Sequence, residues 1–264
     1  MLIQLLTLLC ILLYGAGIFF LNRRLHAPSV YTRRILISNI GAVVVHTTLL
    51  TALLAERGLN HLSFLIVLSI IALLLGIFSV SRGRQLASLM LRPAIFGFAI
   101  VSILLLMLIP ERSHMQYAMS IGLTVHIILS LLAFSLLVLA SLYAGQVLFL
   151  NKVLKERSAR ALDAHLPPLL AVEQYFFRLL TAGTLVLTCA IVAGVLFVDG
   201  LFAATQLHKT ILSFVAWLCF GGIVIAHYVR GLRGKPIILL TLTASSLLTL
   251  AYFGSRFVRD ILLS

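Results

Sequence analysis

Long apolar runs recur along the whole chain, and they constrain the fold more than any other feature. Eight runs of 17 to 31 residues lie near or above the roughly 20 residues with which an α-helix crosses a bilayer. Because the lipid interior offers the backbone no hydrogen-bond partner, such runs form helices. The sequence therefore predicts an all-α bundle of about eight transmembrane helices. The predicted crossings are residues 2–21, 35–55, 63–80, 93–109, 120–150, 179–198, 210–229 and 237–255.

Composition agrees with a chain that lies almost wholly in the membrane. Of its 264 residues, 62% are hydrophobic and only 10% are charged, which is too little charge to cover the surface of a soluble domain. The mean hydropathy is +1.17. We therefore expect a single integral membrane domain over residues 1–264, with lipids around it.

The basic residues indicate how the chain is oriented. The net charge is +13, but the Lys and Arg residues lie in short connections between apolar runs rather than on one face. Fifteen of the 20 fall in alternate connections, which the positive-inside rule places in the cytoplasm. This pattern predicts both termini on the outer, periplasmic side of a bacterial inner membrane, and it disfavours a nucleic-acid partner.

The long connection after the fifth crossing has two parts. Residues 151–166 are charged and favour helix, so we expect them to extend the fifth helix into the cytoplasm. Pro167 and Pro168 then interrupt the helical pattern. Apolar residues at helical spacing over 169–178 predict a short interfacial helix before the sixth crossing.

The ionisable and reactive residues exclude several functions. No carboxylate lies near the centre of a predicted crossing, which disfavours an ion-coupled carrier. The three cysteines, Cys10, Cys189 and Cys219, form no CxxC pair, which argues against a redox dithiol. With no nucleophile arrangement or carboxylate pair visible either, we expect no catalysis by the chain itself.

Histidine is the functional residue type that the crossings do contain. At ~1.5 Å per residue, His46 lies about 16 Å and His126 about 21 Å above the cytoplasmic edge, whereas His227 lies about 4 Å above it. A neutral imidazole is cheaper to bury than a charge and is a good axial ligand of haem iron. His46 and His126 are therefore predicted to be able to share one ligand, which His227 cannot reach. The alternative is that each histidine hydrogen-bonds a neighbouring helix.

Small and weakly polar residues share the helix faces of two of these histidines. Asn39 and Ala42 precede His46 on one face, and Gly122 lies one turn before His126. Such faces normally point to the protein interior rather than to lipid.

Several stretches resemble the cytochrome c assembly family of haem-handling membrane proteins, of the CcsA and CcmC kind. The stretch Thr-Val-His-Ile-Ile-Leu-Ser at 124–130 resembles the histidine helix of that family. His208-Lys209-Thr210, the run to Trp217 and His-Tyr-Val-Arg-Gly at 227–231 continue the likeness in order. The chain is most similar to the short, roughly eight-helix inner-membrane branch that includes HemX-like proteins. The detailed likeness covers residues 120–259, and the first half shares only the topology and a histidine at 46.

The resemblance implies non-covalently bound b-type haem and a part in haem handling or cytochrome c biogenesis. His126 matches a histidine that flanks the outer tryptophan-rich loop of the family, and His227 matches a transmembrane one. Lys209 and Trp217 match the tail of that loop. The residues expected to bind the cofactor are His46 and His126 as iron ligands, His227 as an inner-side ligand, and His208, Lys209 and Trp217 at the outer mouth.

The chain also departs from the family pattern, which keeps other functions open. Residues 199–209 contain no tryptophan, and no histidine follows the last crossing. A second hypothesis is therefore a membrane scaffold or regulatory protein that keeps the fold, has lost haem delivery and acts through contacts with another membrane or cytoplasmic protein. A third, a small-molecule transporter, is disfavoured because no internal repeat or broken helix is visible.

Overall fold

The chain folds into helices throughout the described part of the computed structural model, which comprises residues 2–26, 33–58, 62–83, 85–109, 120–156, 166–198 and 207–254. Each of the eight helices found there is long and apolar enough to cross a membrane. The predicted all-α architecture is therefore confirmed. The helices are α1 Leu2–His26, α2 Arg33–Arg57, α3 Phe64–Ser81, α4 Leu86–Leu108, α5 Ile121–Lys155, α6 Leu169–Phe197, α7 Leu207–Arg230 and α8 Lys235–Thr249, which continues into a π-helical turn, Leu250–Gly254.

The largest differences from the predicted crossings are at the starts of α4 and α6, and in both cases the helix begins earlier than expected. Helix α4 begins at Leu86 and contains Pro93, which membrane helices tolerate when neighbouring groups satisfy the freed backbone carbonyl. Residues 169–178 are the first turns of α6 rather than a separate interfacial helix. Val172, Phe176 and Leu180 form one buried stripe there, and no helix-breaking residue follows them.

Serine and glycine residues define several helix ends. The side chains of Ser63 and Ser120 accept hydrogen bonds from backbone N–H groups in the first turns of α3 and α5, as N-cap residues do. Gly58 and Gly231, directly after α2 and α7, have φ of 80° and 63°. Few other residues adopt this conformation readily, so these glycines allow the helices to stop.

The described helices group into two compact units, α1–α4 and α5–α8. In the first unit, α1 packs on α2 and α4, and α3 packs on α2 and α4. In the second unit, α5 packs along α6 and also contacts α8, while α7 packs on α6 and α8. The prediction of one membrane domain over residues 1–264 stays a prediction.

A glycine allows the close approach of α5 and α6. A Cβ atom at Gly183 would lie 2.9 Å from both Cγ and Cδ2 of Leu137 and 3.3 Å from Cβ of Leu136. Real Cβ atoms do not tolerate the shorter distances, so the helix backbones would have to move apart. Small residues at such contacts are typical of membrane helix pairs, where van der Waals packing drives association.

A buried arginine joins the end of α3 to α4. Arg92, predicted to lie in a cytoplasmic connection, instead lies within α4 and is 1% exposed. Its Nη2 donates to the carbonyl oxygens of Ser79 and Gly83, at 2.6 and 3.0 Å, and to Ser88 Oγ at 3.3 Å. The last carbonyls of a helix lack intrahelical donors and carry partial negative charge. The guanidinium therefore caps α3.

We predict that Gly183→Ala destabilises the second unit. The new methyl group overlaps Leu137, and overpacking of this kind costs about 1–3 kcal/mol. Gly145→Ala is the matched control, because a Cβ at Gly145 has no neighbour within 4 Å and alanine favours helix over glycine. Thermal unfolding in mild detergent measures both. A Gly183→Ala midpoint equal to or above that of Gly145→Ala would contradict the packing described.

We also predict that Arg92→Met lowers the free energy of unfolding by about 1–3 kcal/mol, since the carbonyls at the end of α3 lose a buried donor. Arg34→Met, at an exposed position of α2, is the control and should change stability little. Thermal unfolding in the same detergent compares the two variants. Equal stability of the two would show that Arg92 does not cap α3.

Candidate functional site

His126 has a defined hydrogen bond in the second turn of α5. Its Nδ1 lies 2.8 Å from the carbonyl oxygen of Ala190 in α6. A carbonyl can only accept, so Nδ1 carries the proton and donates, and Nε2 keeps its lone pair. Metal-bound histidines commonly make this Nδ1–H to carbonyl bond, which fixes the tautomer and the ring orientation. His126 is thus prepared to coordinate through Nε2.

Small residues allow His126 to reach the backbone of α6. Gly122, one turn before it, lies so close to Phe197 of α6 that a Cβ would overlap the aromatic ring. Ala190 is buried and has only a methyl side chain. The sequence therefore positions the imidazole through close packing of the two helices, as the small-residue face of the fifth crossing predicts.

Trp217 of α7 contacts α6 at nearly the same height as His126 of α5 does. Its Nε1 donates to Oγ1 of Thr188 at 2.8 Å, and Thr188 is only two residues, or about 3 Å along the axis, from Ala190. Trp217 is half-buried within α7 rather than in a loop. Its hydrogen bond joins α7 to α6, while its part in cofactor binding stays a prediction.

His227 has a comparable arrangement near the other end of α7. Its Nδ1 donates to the carbonyl oxygen of Leu232 at 3.1 Å, which again leaves the lone pair on Nε2. The imidazole ring stacks on Phe177 of α6, with ring centroids 3.5 Å apart and the planes 7° from parallel. The side chain is therefore held on two sides.

His126 and His227 of the second unit cannot share a ligand atom. Both contact α6, His227 at Phe177 and His126 at Ala190. Thirteen residues separate these contacts, which is about 20 Å of helix. This separation agrees with the difference in depth expected from the sequence. Two distinct positions result, one near each end of α6.

His46 is fully buried in the first unit and has partners at both ring nitrogens. Nδ1 is hydrogen-bonded to the hydroxyl of Tyr14 in α1 at 3.0 Å, and Nε2 to the hydroxyl of Ser69 in α3 at 2.9 Å. Coordination of a metal through either nitrogen requires one of these bonds to break. His46 and His126 belong to different units, and their pairing on one iron stays a prediction.

Two of the residues predicted at the outer mouth lie at the start of α7. His208 is exposed and Lys209 is half-buried, both in the first turn of α7. Residues 199–206 of the tryptophan-free connection lie outside the described residues. Among the residues that the structure describes, no group of three or more His, Cys, Asp or Glu side chains could hold a metal ion.

Sequence reasoning missed the partners of these histidines. Tyr14 and Ser69 are the side chains that bind His46, and both stand out as polar groups within strongly apolar runs. That signal was available, but it did not indicate which helices pack together. Ala190 could not be identified from the sequence as a partner of His126, because its backbone carbonyl rather than its side chain makes the hydrogen bond.

Comparisons with known proteins extend over almost the whole chain. The model of the Cytochrome C assembly protein family matches residues 2–263. Inner membrane protein YpjD of Escherichia coli K12 is 30% identical over 235 residues, which are 88% of this chain and 89% of that protein. An uncharacterized 28.8 kDa protein of Azospirillum brasilense, in a nifR3-like 5' region, is 34% identical over 148 residues, or 55% of each chain. No solved structure matches the chain significantly.

The family match and the helices lead to the same class of protein. The chain has eight described helices that are able to span a membrane, and a relative that matches most of its length is named as an inner membrane protein. It is a multi-pass inner-membrane protein, and it belongs to the cytochrome c assembly protein family.

Proposed function

We propose that this protein binds b-type haem non-covalently within the membrane and takes part in haem handling for cytochrome c biogenesis. The observation that carries the proposal is the hydrogen bond from His126 Nδ1 to the Ala190 carbonyl. It leaves Nε2 as a basic nitrogen on a half-buried side chain in a membrane helix. Neutral imidazole of this tautomer is a common axial ligand of haem iron.

The donor set fits haem better than it fits a free metal ion. A bound haem would supply an iron for coordination by imidazole and two propionate carboxylates for basic side chains. One or two imidazoles satisfy such an iron, whereas a protein site for bare zinc usually needs three or four ligands. His126 offers one nitrogen, and Lys209 in the first turn of α7 offers a positive charge for a propionate. His208, the residue before Lys209, is proposed to contact a propionate as well.

His46 is the proposed second ligand of the iron. To coordinate through Nε2, its ring has to give up the hydrogen bond with Ser69 Oγ. The Tyr14 hydroxyl then remains as the acceptor for Nδ1–H and holds the ring in place. His227, about 20 Å along α6 from the position of His126, is proposed as a separate inner-side position through which haem enters or leaves.

The chain itself is proposed to hold and pass on haem rather than to catalyse a reaction. Its partners in that role are other cytochrome c biogenesis components or another membrane protein, and lipids surround it.

Two observations favour a different candidate, a scaffold or regulatory protein without haem. Both nitrogens of His46 already have protein partners. Trp217, the one tryptophan of the chain, donates its N–H to Thr188 within the helix bundle. In this second function the histidines would join helices, and the surface of the protein would contact a partner.

We predict that protein purified in mild detergent from haem-replete cells shows a Soret band and sharp bands after reduction with dithionite. His126→Ala should lower the haem bound per protein by more than about tenfold, through loss of an iron ligand. His126→Gln keeps a side-chain donor for the Ala190 carbonyl but cannot replace imidazole, so it should lose haem while remaining folded. Wild-type protein without haem, even after haem is added, would contradict the proposal and favour the scaffold function.

The role of His46 is tested with a matched pair of variants in the same assay. His46→Ala removes the proposed ligand, whereas Ser69→Ala removes only a hydrogen bond to it. We expect His46→Ala to shift or abolish the reduced bands and Ser69→Ala to keep them. If both variants keep the wild-type spectrum, His46 is a packing residue and the second ligand is another group.

The proposed orientation, with both termini on the periplasmic side, has a direct test. Alkaline phosphatase fused to the C-terminus should be active, because it folds only after export, and green fluorescent protein fused there should be dark. The same phosphatase fused within the 231–234 connection between α7 and α8 should be inactive. The opposite pattern would reverse the orientation and would move His227 to the outer side.

A further inference from the structure

A buried amide in the first unit has no hydrogen-bond partner. Asn39 of α2 is 1% exposed, and neither its Nδ2 nor its Oδ1 makes a hydrogen bond within the described protein. A primary amide has two donors and a carbonyl acceptor. Buried polar groups are nearly always paired, since leaving them unpaired costs free energy. Asn39 therefore needs a partner other than the protein groups that the structure describes.

The surroundings of the amide limit what that partner can be. A Cβ built on Gly17 of α1 would lie 2.9 Å from Asn39 Oδ1 and 2.9 Å from Cε2 of Phe96 in α4. The amide thus lies where α1, α2 and α4 meet, against a glycine and an aromatic edge. Space this close excludes a cofactor or a lipid chain next to Gly17.

The neighbouring polar side chains are neutral. One turn before Gly17, the ring of Tyr14 packs against Phe96 with centroids 4.8 Å apart, and its hydroxyl is hydrogen-bonded to His46. His46 is bonded in turn to Ser69. These groups already pair with one another, whereas the amide of Asn39 can still donate and accept, and a small neutral molecule that does both suits such an amide better than an ion does.

We propose that an ordered water molecule binds in the core of the first unit, with the Asn39 side-chain amide as its main anchor. Asn39 is six residues into α2, or about 9 Å from the start of that helix, so the site is inside the membrane rather than in the aqueous phase. A buried water with about three polar partners is a recurring part of protein structure. Gly17 is the residue that leaves room for the amide, because a Cβ at this position would lie 2.9 Å from Asn39 Oδ1.

The competing explanation uses weak contacts alone. The Cα–H group of Gly17 and the Phe96 ring are the weak partners near the amide. In that case no water is needed, and replacing Asn39 with an apolar residue of similar size relieves an unfavourable burial.

Solid-state NMR of the full-length protein in lipid bilayers distinguishes a bound water from weak contacts alone. The chain has four asparagines, Asn22, Asn39, Asn60 and Asn151, so selective 15N labelling of asparagine side chains gives few signals. Asn39→Leu assigns the signal of interest by its loss. We expect magnetisation to pass from a water proton to Nδ2 of Asn39 at short mixing times. Transfer to the exposed Asn22 amide without transfer to Asn39 would overturn the proposal.

A pair of glycine variants provides an independent test. Gly17→Ala places a methyl group against the amide and should abolish the water signal at Asn39. Gly41→Ala is the control, because its Cβ would meet Leu13 at an ordinary 3.6 Å, and it should keep the signal. Asn39→Leu should lower the thermal midpoint if water binds there, and a raised midpoint would support weak contacts instead.

Discussion

The structure depends on one constraint, which is that polar groups within a bilayer have to find partners inside the protein. Helix formation gives the backbone N–H and C=O groups hydrogen-bond partners, and the polar side chains also find partners within the protein. Serine and threonine hydroxyls along the helices donate to carbonyls three or four residues earlier, as Ser135 and Thr184 do. Larger polar groups reach a neighbouring helix. Arg92 binds the end of α3, His126 binds a carbonyl of α6, and Trp217 binds a threonine of the same helix.

Under this constraint, the histidines of the membrane helices differ in how many ring nitrogens have a protein partner. Both nitrogens of His46 bind hydroxyl groups of neighbouring helices, so its imidazole joins three helices. A carbonyl fixes one nitrogen of His126 and of His227 and leaves the other basic. An imidazole in a membrane helix can therefore have protein partners at one ring nitrogen or at both, and only in the first case can it coordinate a metal without breaking a hydrogen bond.

Apolar length and charge spacing were sufficient to predict the helices, because the membrane itself imposes the length of a crossing. The starts of α4 and α6 were predicted wrongly, in each case for a physical reason. Arg92 was read as a marker of solvent, but buried carbonyls at the end of α3 satisfy its donors. The residues after the proline pair at 167–168 were predicted to form a separate interfacial helix, but Pro168 is the N-cap of α6 and the buried stripe after it continues without interruption into the sixth crossing. The predicted extension of the fifth helix over 151–166 is described only as far as Lys155, where α5 ends, and residues 157–165 lie outside the described residues.

The candidate site could be predicted only in part. The sequence identified His46, His126 and His227 as polar groups in apolar runs, and depth separated the third from the other two. It could not show the hydrogen-bond partners, since Ala190 acts through its backbone and Ser69 comes from a helix whose neighbours the sequence does not specify. Those partners decide which ring nitrogen carries the proton and which keeps its lone pair.

The central claim is that Nε2 of His126 coordinates haem iron. Near-infrared magnetic circular dichroism of the ferric protein identifies the axial ligands through a charge-transfer band whose energy depends on them. We expect the band of an iron with two imidazole ligands, replaced by a different band or lost with the haem in His126→Gln. An unchanged band in that variant would contradict the claim.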